Sequence, residues 1–207
     1  MDLLHSDLKR LKKLTSPIKI QDFLDTLAVN HEHKGETCLS PLHVLKHKKA
    51  HCLEGAMLAA AALALQGKKP LIMNLKAAPG DDDHAVALYK VNGYWGAISK
   101  TNHASLRFRD PIYKTLRELA ASYFHEYFVN ETGKKTLRSY SVPFDLSRYE
   151  TEWMISEQNL WKIAYALRES PHRELLPKKN RKYLRPADRI ERKAGRIIEW
   201  KKTDPRT

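Results

Sequence analysis

Residues 40–75 read SPLHVLKHKKAHCLEGAMLAAAALALQGKKPLIMNL. Ser40-Pro41 is a helix start, with a hydroxyl to cap the first turn and a proline at the first helical position. A short helix is expected from there to about Lys49, and a longer one from near Cys52. The body of the second, Leu53 to Gln66, is alanine-rich, so it forms readily and packs closely. Gly67 ends it. Pro70 to Leu75 is an apolar run of strand length.

Downstream lies Asp81-Asp82-Asp83, followed by two strand-like runs, His84 to Val91 and Tyr94 to Ser99, around Asn92-Gly93. Asn-Gly between alternating apolar residues is a strong signal for a two-residue hairpin. A two-residue turn pairs Val91 with Tyr94, sets Val86 opposite Ser99 and places His84 opposite Thr101. Side chains alternate along a strand, so Ser99 and Thr101 share the face of His84. Asp83 and Asn102 point away from it.

Upstream, Asp7 to Leu14 reads as a basic helix, Pro17 breaks it, and Ile18 to Leu27 forms a second. Later helices are expected over Tyr113 to Val129 and Glu150 to Arg168, with a strand at Lys135 to Val142 between them. From Pro171 onward the composition turns to Lys, Arg and Pro, with thirteen Lys and Arg against five Asp and Glu. Most of the net charge of +13 is therefore in this region. The expected organisation is one domain over 1–170 and a basic extension over 171–207, helical from about Ala187 to Lys202.

The chemistry-bearing residues are Cys52 and His84. A cysteine at a helix start has its thiolate favoured by the dipole and the free N–H groups. The same N–H groups can hold an oxyanion. A histidine opening a nearby strand can take the thiol proton and return it to a leaving group. Ser99, on the next strand, is placed to orient the imidazole.

The segment resembles the core of transglutaminase-like proteins, which share the papain-like cysteine-protease fold, and is similar to a bacterial branch of that superfamily. Cys52, Glu54, Ala56, Gly67, His84 and Trp95 occur in the family's order, and the resemblance covers about residues 18 to 102. It implies an α+β fold with an N-terminal helical lobe packed on a small antiparallel sheet and a helical C-terminal part. It also implies cysteine-dependent acyl transfer or amide hydrolysis on a protein or peptide substrate, with Cys52 as nucleophile, His84 as base and no cofactor. The family's usual acid on the return strand is replaced here by Ser99. Serine accepts a hydrogen bond but does not stabilise an imidazolium as a carboxylate does. That departure leaves open a non-catalytic module that binds a protein or peptide.

Other readings stand beside this one. His31, His33, His43, His47 and His51 crowd one stretch with Cys38 and Cys52, and His-x3-His spacing suits zinc, although no Cys-x2-Cys partner accompanies it. Asp81 to Asp83 could draw a hard cation or a basic substrate. The basic extension could contact nucleic acid weakly and without sequence preference. No apolar run reaches membrane-spanning length, and the N-terminus lacks a signal-peptide core. The expected setting is the cytoplasm, with both cysteines as thiols.

Overall fold

A computed structural model describes residues 6–207. The elements are α1 (Ser6–Lys9), followed by a 3-10 turn over Arg10–Lys13; α2 (Pro17–Asp25); β1 (Ala28–Val29); α3 (Pro41–His47); β2 (Lys49–Ala50); α4 (Cys52–Ala64); β3 (Leu71–Ala77); β4 (His84–Val91); β5 (Tyr94–Ser99); β6 (Arg109–Tyr113); α5 (Leu116–Ser122); β7 (Leu137–Ser141); β8 (Phe144–Asp145); α6 (Glu152–Ile155); α7 (Trp161–Arg168); β9 (His172–Glu174) and α8 (Arg189–Gly195). Helices and one antiparallel sheet form an α+β architecture.

The central hairpin has the register that the Asn-Gly turn dictates, with Val91 opposite Tyr94 and Val86 opposite Ser99. Asn92 and Gly93 both take positive φ, as a tight hairpin turn demands. The sheet is larger than the small one expected: seven strands in the order β6-β5-β4-β3-β7-β9, with β8 also paired to β3. Alternation along β4 serves two cores. Ala85, Ala87 and Tyr89 face the layer containing α4, and Val86 and Leu88 face the layer containing α5.

Helix α4 begins at Cys52, as its sequence implies, and Ala56 to Leu63 are all buried. The small side chains let the helix lie close to Ala85 and Ala87 of the sheet. Gly67 closes the helix end with φ +76, and Lys68 N–H returns to Leu63 O at 3.0 Å. Helix α3 is capped as expected, with Ser40 Oγ accepting from His43 N–H at 3.3 Å.

Three expected helices are shorter than their apolar stripes suggested. Arg109–Tyr113 pairs with β5 as an edge strand, so the next helix begins only at Leu116, under a capping box from Thr115 and Glu118. The helix expected over Glu150 to Arg168 is split into α6 and α7. Between them Asn159 Oδ1 accepts from Cys38 N–H at 2.9 Å, and Leu160 N–H donates to Cys38 O at 2.7 Å. The last helix stops at Gly195, because the following residues run beside 102–104. Residues 171–207 do not lie apart from the rest: β9 pairs with β7, Ala187 N–H donates to Gly133 O at 2.8 Å, and Trp200 is buried. Backbone hydrogen bonding thus overrides the change in composition at Pro171. No helix of the described residues is long and apolar enough to cross a membrane.

Candidate functional site

Cys52 and His84 are each the first residue of their element, α4 and β4, and both line one cleft of about 700 Å³. Cys52 is partly exposed, and His84 and Ser99 are buried. The imidazole Nε2 of His84 lies 2.8 Å from Ser99 Oγ. Ser99 Oγ also lies 2.6 Å from Leu106 O, to which it donates. A hydroxyl has one proton to give. With that proton on Leu106 O, Ser99 Oγ accepts from His84, which places the histidine proton on Nε2 and leaves Nδ1 with the lone pair. The contact between Ser99 and His84 that the hairpin register implies is thus present.

The support behind Ser99 is elaborate for a surface-loop neighbour. Gln21 of α2 clamps its backbone from both sides, Nε2 donating to Ser99 O and Oε1 accepting from Ser99 N–H, each at 2.9 Å. Leu106 is held at φ +60 by its N–H donating to Glu126 Oε2 at 2.8 Å, and Glu126 is fixed in turn by Arg109 at 2.7 Å. These are the partners a precisely aimed imidazole needs.

Sequence reasoning missed His51. It is the N-cap of α4: its Nδ1 accepts from Leu53 N–H at 3.2 Å, and its Nε2 donates to Thr37 O at 3.1 Å. His51, Cys52 and His84 line the same cleft, so the thiol shares it with two imidazoles. Histidine is an uncommon cap, and the expected signal of Ser, Thr, Asp or Asn was absent. The capping box of His51 and Glu54 is readable only as Glu three residues after it.

Glu54 is fully buried, with 0% exposure, yet well provided with donors. Its Oε1 accepts from Leu39 N–H at 2.9 Å and Thr37 Oγ1 at 2.7 Å, and its Oε2 from His51 N–H at 3.0 Å and Asn30 Nδ2 at 3.1 Å. It also stands 3.4 Å from His51 Nε2. A carboxylate that is missing beside His84 is therefore present beside His51.

The electrostatics follow from these contacts. Burial pushes the Cys52 thiol up, but the neighbouring imidazoles of His51 and then His84 outweigh it and bring it down to about 5. Burial pulls His51 down, while the Cys52 sulfur and then Glu54 push it up to about 9. The cap contact at Nδ1 needs the neutral Nε2–H form of His51, whereas the raised pKa favours the protonated ring at neutral pH, so the cap and the charge compete for Nδ1. Proton uptake at Nδ1 would release that N–H. Cys38 differs from Cys52 in kind: it is completely buried, and burial pushes it up to about 12.

Other sequence candidates are dispersed. Helix α3 ends at His47, and Lys48 turns the chain with φ 54, so His43, His47 and His51 do not stack on one face. His43 instead lies 2.7 Å from Glu157. No group of three or more potential metal ligands occurs among the described residues. Asp83 accepts from Asn74 Nδ2 and Ala77 N–H, and Asp81 from Thr136 and Asp82 N–H, so these two acids hold the turn into β4. Thr101 does not extend β5, which ends at Ser99. Asn102 lines the same cleft as His84 and binds the backbone of Trp200 in both directions, at 2.8 and 2.9 Å. Through that contact the C-terminal segment brings Gly195 to the cleft wall. No known protein family and no curated protein matches the chain.

Proposed function

We propose that the protein is a cysteine-dependent acyltransferase or amide hydrolase of transglutaminase-like type, acting on a protein or peptide from the cleft at Cys52. The observation that carries this reading is a thiol at a helix start sharing one cleft with two imidazoles, one in contact with Ser99 and the other with Glu54. The order of elements supports the same family: a short helix, a Cys-headed helix ending at Gly67, a strand, and a hairpin opening on His84.

In this mechanism Cys52 as thiolate attacks the carbonyl carbon. The sulfur–carbon bond forms as the carbonyl π electrons move onto oxygen. The N–H groups of Cys52 and, once released from the ring, Leu53 are placed to hold that oxyanion. The leaving amine departs with a proton from a flanking histidine, and an amine or water then releases the acyl group. His84, lacking a carboxylate, is suited to move a proton without storing charge. His51, next to Glu54, is suited to balance the thiolate's charge.

A non-catalytic peptide-binding role in the same cleft is the competing reading, favoured by Ser99 at the family's acid position. The deciding experiment exposes the full chain to p-nitrophenyl acetate and reads the mass at Cys52. An acetyl adduct that forms at neutral pH and is lost in Cys52→Ser is expected. No adduct in the native protein would favour the binding role.

A further inference from the structure

A second concavity, of about 400 Å³, opens between residues 132–138 and the segment 181–186. Lys134, Lys135, Arg138, Arg181 and Arg185 line it, with no carboxylate among the lining residues. The two segments are fastened to each other. Ala187 N–H donates to Gly133 O at 2.8 Å, and a Cβ at Gly133 would come within 2.4 Å of Ala187 O. The tail is therefore seated directly on the 132–138 loop, and the five cations are brought together by the fold.

Like charges gathered this way repel one another unless an anion joins them. Arg185 lies 3.4 Å from Asp188. Among the described residues, Lys134, Lys135, Arg138 and Arg181 form no ion pair. Arg138 is positioned by two backbone carbonyls, Leu137 O and Lys135 O, each at 3.0 Å. Lys135 is buried, with its Nζ 3.1 Å from His125 Nδ1. Burial and, after it, the charge of Arg181 pull the Arg138 pKa down.

We propose that this concavity is a phosphate-binding site that takes the backbone of a single-stranded nucleic acid. Five cations exceed what one free phosphate neutralises. The positive charge also continues outward through Lys178, Lys179 and Lys182 on the 3-10 turn Lys178–Tyr183. Tyr183, 76% exposed on the same turn, offers a ring on which a base can stack. The site is separate from the Cys52 cleft and does not depend on its chemistry.

The test is fluorescence anisotropy of a labelled 15-nucleotide oligothymidylate with the full chain between 50 and 200 mM salt. Five phosphate contacts give a slope of log affinity on log salt of about −3.5, a loss of roughly 130-fold across that range. The variant Lys134→Gln/Arg181→Gln removes two exposed contacts and brings the slope to about −2.1, a loss of roughly 20-fold. Lys12→Gln/Lys13→Gln, an equal change of charge at exposed positions elsewhere, retains the slope of the unmodified protein. Equal effects of the two double variants, or no binding at 50 mM salt, would overturn the proposal. Binding of inorganic pyrophosphate without binding of the oligonucleotide would assign the site to free phosphate and overturn the nucleic-acid assignment.

Discussion

Replacing Glu54 by Gln tests whether the first turn of α4 depends on a buried carboxylate. The two oxygens of Glu54 each meet a backbone donor, Leu39 N–H at Oε1 and His51 N–H at Oε2. Glutamine has one oxygen and one amide nitrogen. Whichever way it turns, an N–H is set against an N–H, so one charge-assisted hydrogen bond is lost and a buried donor is left without an acceptor. The lost bond is worth about 1.5–3 kcal/mol and the orphaned donor about 1–3 kcal/mol. The expected destabilisation is therefore about 2.5–6 kcal/mol, or about 5–24 °C in Tm for a chain of this size. Urea denaturation followed by far-ultraviolet circular dichroism reads it as a fall in midpoint at constant slope. A loss below about 1 kcal/mol would show that water or another acceptor replaces the carboxylate, and the support argued for His51 would fail.

Further outcomes follow from neighbouring contacts. In Gly55→Ala the new methyl would lie 2.4 Å from Lys100 Cβ, so α4 must shift from β5 at a cost of about 1–3 kcal/mol, measured by urea denaturation. Lys100 is buried, and burial pulls its pKa down to about 8. Between about pH 8 and 10.5 the unfolded chain therefore binds more protons than the native one, and stability gains up to about 3 kcal/mol as pH rises through that window. Lys100→Met should lack this rise relative to the unmodified protein, and parallel pH profiles would refute it. Ser99→Ala should leave the fold intact but slow acylation of Cys52 about tenfold, the equivalent of one lost hydrogen bond of about 1.4 kcal/mol. An unchanged rate would remove Ser99 from the site.

The hairpin and α4 were legible because local chemistry alone decides them. Asn92-Gly93 permits one tight turn, and that turn sets the register carrying Ser99 to His84. Ser40-Pro41 and Gly67 mark helix ends by backbone rules that no distant contact overturns. What escaped the sequence depends on partners far along the chain. Glu150 to Arg168 has a helical stripe throughout, yet Cys38, more than a hundred residues away, donates to Asn159 and accepts from Leu160 and so splits it. The tail reads as solvated by composition, but Asn102 and Gly133 bind it through backbone groups that side-chain patterns do not report. His51 was hidden for a further reason. Its role comes from capping the helix that Cys52 opens and from its contact with Glu54 one turn on, and a histidine cap has little precedent in composition to flag it.

The most direct test of the central claim is the pH dependence of Cys52 alkylation by iodoacetamide, read site by site by mass spectrometry with the buried Cys38 as internal reference. An activated thiol flanked by two histidines gives a rate that rises through about pH 5. His84→Ala and His51→Asn, the second retaining a helix cap, should each move that inflection upward, while Cys38 stays inert in the native protein. An inflection near ~8.5, the ordinary value for a cysteine, and unmoved by either substitution, would contradict the account of Cys52 as a nucleophile.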